Sequence, residues 1–183
     1  MVLLIIAIVV ALLIFIYTFV TYNSLVSSRN IVLEAFSTMD VYLKKRWDLV
    51  PNLVETVKGY ASYEDEVIEN ITKLRTNKYD DLSMDKKIDI NNLIDKNITS
   101  VLAFKESYPE LKSNKNFLEL MKDLTKIEDE IANSRKYYNG AVRSLNNKVL
   151  MFPSNIIANI FGIKKENMFE ASVEEKESVK VDL

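Results

Sequence analysis

The stretch VLLIIAIVVALLIFIYTFV, Val2–Val20, decides how the rest of this 183-residue chain is read. It carries no charge, and its only polar side-chain atoms are on Tyr17 and Thr18. At ~1.5 Å rise per residue it spans roughly 28 Å, close to the hydrocarbon thickness of a bilayer. A secretory signal would show a basic start, a shorter apolar core and a small-x-small cleavage site. Here no Lys or Arg precedes the run, and Thr21-Tyr22-Asn23-Ser24 follows it. The expectation is an uncleaved single-pass anchor, residues 1–21, with residues 2–20 in lipid. Arg29 is the first charged residue and the only basic one near the span, with none upstream. By the positive-inside rule this points to a short external N-terminus and a cytoplasmic remainder.

Beyond the span, no helix breaker intervenes before Pro51. Tyr22, Leu25 or Val26, Arg29, Leu33, Phe36, Met39 or Asp40, Leu43 and Trp47 recur at spacings of three and four, the stripe of an amphipathic helix. One helix should therefore leave the membrane and reach about Leu49. Pro51 lacks an amide donor and disfavours helical geometry at Val50, so a second helix is expected from Pro51 to about Arg75. Thr76–Ser83 reads as a loop. A third helix follows a Ser83 or Asp85 cap and ends at Tyr108-Pro109. A fourth starts after Ser113 or Asn114 and carries Phe117, Leu124, Ile131, Tyr138 and Leu145 at seven-residue intervals until Phe152-Pro153-Ser154 breaks it. A short apolar piece, Asn155 to Ile163, comes next.

The fold class this implies is all-α: a transmembrane helix continuing into an antiparallel up-down four-helix bundle of long helices over residues 22–165. Residues 166–183 read as an acidic, disordered tail. Two geometries are open at Pro51. If the chain reverses there, which is the expectation, the Ile156, Ile157, Ile160 and Phe161 cluster lies near the bilayer. If the helices form one kinked rod, the cluster lies at the far end.

Composition removes several function classes. There is no cysteine and no histidine, which excludes disulfides, thiolate chemistry, the commonest general base and most transition-metal sites. With 24 basic against 26 acidic residues, no basic excess points to nucleic acid. Glu64, Asp65 and Glu66 lack the Glu-x-x-His partners of di-iron bundles. No catalytic, cofactor-binding or metal-ligating residue is expected, and no cofactor.

Three groups are candidates for other roles. Leu49, Val50, Pro51, Asn52 and Leu53 form a dense apolar corner, either a packed structural turn or an exposed tip that binds a partner protein. Ile156, Ile157, Ile160 and Phe161 are either a plug on the bundle or an interfacial membrane segment. Asp40, Arg135 and Asn139 are polar groups on or beside apolar stripes, and a buried charge must be paired. The expectation is that Arg135 meets Asp40 and locks the register. Lys44-Lys45-Arg46 lies too far from the span to touch lipid and reads as a solvated or salt-bridged face.

The residues also resemble a known family. Tyr22–Val26 (YNSLV) and Arg46–Ala61 (RWDLVPNLVETVKGYA) look like the signature block of the LemA family. Tyr108–Lys112 (YPELK), Asn116-Phe117, Arg135–Asn139 (RKYYN), Phe152–Asn155 (FPSN), Phe161-Gly162 and Phe169–Ala171 match its later landmarks in order. Trp47, where a polar residue is usual, and Met168, where an aromatic is common, depart from the pattern. The resemblance implies a bacterial cell-membrane protein with a cytoplasmic helical bundle and supplies no catalytic residues. One relative acts in magnetosome membrane formation, which leans towards membrane organisation. Together these readings suggest a membrane-tethered, non-enzymatic scaffold or adaptor with a protein partner or a second copy of itself. The alternatives are a membrane-organising protein using an interfacial helix and a ligand-binding bundle.

Overall fold

A computed structural model gives the fold and describes residues 1–58, 78–107 and 109–169. Among these the chain is all-helical: α1 (Val2–Lys58), a 3-10 turn at Tyr79–Asp81, α2 (Met84–Ser107), a second 3-10 turn at Leu111–Ser113, α3 (Lys115–Leu150) and α4 (Ser154–Ile160). No strand occurs among the described residues. The chain divides into two compact units, one of Met1–Thr38 and Ser134–Met168, the other of Met39–Asn133 with the residues from Phe169 onward.

The 57 residues of α1 run unbroken through Pro51. This corrects the expected reversal there. A proline inside a helix loses one hydrogen bond and crowds the carbonyl four residues back, at a cost of roughly 3 kcal/mol. Trp47, Val50, Leu53, Val54 and Val57, on either side of it, are all buried. Burying each such side chain contributes about 1.5–3 kcal/mol, so packing outweighs the defect. Tyr79 packs against Trp47 of α1 with ring centroids 5.4 Å apart. The rest of the expected second helix, including Gly59 and Glu64 to Glu66, lies outside the described residues.

In the second unit α2 runs parallel to α1. Lys87 reaches Asp40 at 2.7 Å, and one turn further along, Asn91 reaches Arg46 at 2.7 Å. Ser83 caps α2 by accepting the Lys86 amide, and Asn114 caps α3 by accepting the Phe117 amide at 3.1 Å. Both caps are among those read from the sequence. Tyr79 and Leu82, assigned to a loop, are buried.

In the first unit α3 returns antiparallel to α1. Tyr138 stacks edge-on against Phe36 at 5.9 Å, and further along α3 Lys148 donates to Ser24 Oγ (2.8 Å) and Ser28 Oγ (2.7 Å). All five residues of the α3 repeat, from Phe117 to Leu145, are buried. On α1 the stripe is displaced by one position near the span: Ser28 and Val32 are buried, whereas Arg29 and Leu33 are exposed.

The α3–α4 corner holds a cis Phe152-Pro153 bond, and Ser154 Oγ donates to the Lys148 and Met151 carbonyls. α4 ends in a Schellman arrangement, with Ile163 N–H donating to Ala158 O and Gly162 N–H to Asn159 O. Gly162 takes the left-handed conformation this requires, at φ 66°. Past it, Asn146 holds the Glu166 backbone at both N–H and carbonyl, and Tyr138 Oη donates to Asn167 O. The first residues of the expected tail are thus tied to α3, and those from Glu170 onward lie outside the described residues.

Candidate functional site

Helical geometry splits the apolar corner at Pro51 into an inner and an outer set. Val50 and Leu53 are 2% and 1% exposed and belong to the core. Leu49 and Asn52 face outward and line an open groove with Tyr42, Lys45 and Asp48 on α1 and Asp123, Lys126, Ile127 and Glu130 on α3. Its lining combines the apolar Leu49 and Ile127 with side chains of both signs of charge. Lys44, beside it, spans to Asp48 at 2.7 Å across one helical turn. Among the described residues no group of three or more Asp or Glu side chains is placed to hold a metal ion.

Behind the groove lies a dense polar cluster. Arg46 is fully buried. Its Nη1 donates to Asp95 and to both oxygens of Glu128 (3.1 and 3.2 Å), and its Nη2 to Asn91 Oδ1 (2.7 Å) and the Asn91 carbonyl (3.1 Å). Asn91, also fully buried, donates its Nδ2 to Lys87 O at 2.8 Å. The planar fork of an arginine suits this two-sided recognition, which a lysine could not copy.

Nearly two turns back along α1, Asp40 accepts from Tyr79 Oη at 2.6 Å and from Lys87 Nζ at 2.7 Å. Lys87 Nζ also lies 4.5 Å from the Tyr79 ring centre. Burial, then the hydrogen bond to Asp40 and its negative charge, push the Tyr79 phenol well above the ordinary tyrosine range. Asp40 thus joins α1 to Tyr79 and to Lys87 of α2. Arg135 and Asn139 are half-buried on α3, in the other compact unit.

The third candidate group stays together at α4. Ile157 is buried, while Ile156, Ile160 and Phe161 are exposed. Leu150, Met151 and Phe152, at the α3–α4 corner that precedes them in the chain, are also exposed. Phe161 packs on Tyr22, with ring centroids 4.5 Å apart. The cluster therefore lies beside the end of the apolar run, which neither geometry weighed at Pro51 fully foresaw: the rod is continuous and the cluster is near the span.

These features define a class: an all-α protein built on one helix long and apolar enough to cross a membrane, compatible with a membrane anchor and with its apolar window unburied. Comparison with known proteins makes the class specific. The LemA family model matches residues 35–183, and the chain belongs to the LemA family. It is similar to Protein LemA of Metamycoplasma hominis, 30% identical over 163 residues, 87% of this chain and 73% of that protein. It is also similar to Magnetosome proteins MamQ 1 and MamQ 2 of Paramagnetospirillum magneticum, each 33% identical over 70 residues. Those matches take in 38% of this chain and 26% of each relative.

Proposed function

We propose that this chain is a membrane-tethered, non-enzymatic scaffold, anchored in a bacterial cell membrane through residues 2–20 with its helices in the cytoplasm. Its long helices pack lengthwise, α2 parallel and α3 antiparallel to α1, and the α1–α3 groove around Leu49 and Asn52 docks a protein. The observation that carries this reading is that the groove stands on the same unbroken helix as the apolar run. A tether of that kind confines the groove to a thin layer at the bilayer, which raises its effective concentration towards other membrane-bound chains. The buried polar groups behind it hydrogen-bond to one another, Arg46 Nε excepted, and so serve rigidity.

The test is photo-crosslinking in native membranes from Leu49 and Asn52, with Ser37, an exposed position on another part of α1, as the control. Discrete adducts from the groove positions and none from Ser37 are expected. Adducts of twice the chain mass would identify a second copy as the partner. Equal crosslinking from all three positions would contradict a docking groove. A second reading, membrane organisation, is favoured by the exposed apolar residues of α4 and the α3–α4 corner.

A further inference from the structure

We infer that the α3–α4 corner and α4 form a second membrane contact, a foot lying in the headgroup layer of the leaflet from which α1 emerges. The inference rests on reading Val2–Val20 as the span and is independent of the groove. Phe152 is 79% exposed and Ile160 69% exposed, far more than a soluble surface needs to show for large hydrocarbons. Met151, Ile156 and Phe161, in the same short stretch of chain, are exposed as well.

Its height is fixed by the Tyr22–Phe161 contact. Tyr22 follows Val20 by two residues, about 3 Å along the helix. The headgroup layer on each side of a bilayer is about 5–7 Å thick, so Phe161 falls inside it. Tyr22 is itself the kind of amphipathic aromatic ring found at that depth.

Charge identifies the occupant as lipid. Residues 1–33 and 134–165 contain no acidic side chain, yet they carry Arg29 and six more cations from Arg135 to Lys165. The whole chain is net −2, so these stretches, with seven cations and no acidic residue, stand out by the exclusion of acidic side chains. Two of them, Lys164 and Lys165, directly follow the α4 cap and are exposed. Arg29 lines a cleft of about 440 Å³ with Tyr22, Val26, Asn30 and Phe161, open beside the apolar face. Helical side chains lean towards the N-terminus, which on α1 is towards the span. An apolar face rimmed by cations matches the acyl boundary and phosphates of an anionic leaflet. A second copy of the same face would place like charges together.

The chain has no cysteine, so single labels can be placed without background. Spin labels at Phe152→Cys, Ile160→Cys, Leu12→Cys and Asp123→Cys would be read in full-length protein in phosphatidylglycerol-containing vesicles. Accessibility to oxygen and to an aqueous nickel chelate gives the depth. Leu12 should read deep and Asp123 aqueous, with Phe152 and Ile160 about 5–10 Å inside the boundary. If both corner labels read aqueous while Leu12 reads deep, the foot is wrong and the span stands. If both are shielded from oxygen and nickel alike, protein covers them and the lipid assignment fails. An aqueous Leu12 would remove the span itself.

Discussion

Arg46 occupies a place in α1 that residues at seven-residue intervals, Leu25, Val32, Met39 and Leu53, fill with hydrocarbon, and all five are buried. A lone charged residue in an otherwise apolar seam costs stability and fixes register, because only one alignment brings Asp95, Asn91 and Glu128 to it. Arg46→Ala takes the guanidinium away from two carboxylates and a buried amide and leaves a cavity, and is expected to destabilise the detergent-solubilised chain by about 3–5 kcal/mol in denaturant titration. A change under about 1 kcal/mol would show the cluster to be solvated.

Tyr79 allows a test by pH. Its folded pKa lies above the unfolded value of about 10, so the neutral phenol is the form the fold prefers. Its contribution to stability is complete below pH ~10 and is lost as pH rises beyond that. Ultraviolet titration should show tyrosine ionising later than the bulk, and Tyr79→Phe should reduce that late phase by one residue's amplitude. Sequence alone marked Asp40 as a polar group on or beside an apolar stripe and read Arg46 as part of a solvated or salt-bridged face. It could not pair them, because their partners come from positions 39 to 82 residues away and nothing local encodes those distances.

At the level of elements, Pro51 is a defect tolerated within α1 for the packing around it. Pro51→Ala restores an amide donor to the helix and should stabilise the chain by about 1–3 kcal/mol, seen as a higher denaturation midpoint. A chain that turned at Pro51 would lose stability instead. Gly140 and Gly162 give a matched pair, since a Cβ would meet nothing within 4 Å at either. Gly140 sits inside α3, so Gly140→Ala should stabilise by about 0.5–1 kcal/mol. Gly162 has φ +66°, so Gly162→Ala should cost about 1–2 kcal/mol from backbone strain alone.

Most elements were legible because their signals are local. The seven-residue repeat of α3, the caps at Ser83 and Asn114 and the stop at Phe152-Pro153 all depend on neighbours within two turns. The passage of α1 through Pro51 was not legible, because it depends on Trp47, Val50 and Leu53 finding a core that other segments supply. The burial of Tyr79 and Leu82 left one faint signal, two large apolar residues in an otherwise polar stretch.

For the whole molecule, one physical claim governs the rest: the apolar run stays in the bilayer and the helices behind it work tethered. In water, the exposed Val2–Val20 surface would drive aggregation, since at about 25 cal/mol per Å² each large side chain left in water forgoes 1.5–3 kcal/mol. Both proposals, a groove that docks a protein and a foot that lies in lipid, take their geometry from that tether. Extraction of native membranes with alkaline carbonate tests it most directly. The expected result is an intact chain, still beginning upstream of Tyr22, that remains in the membrane pellet. Release into the supernatant, or a mature chain starting beyond Tyr22, would contradict it.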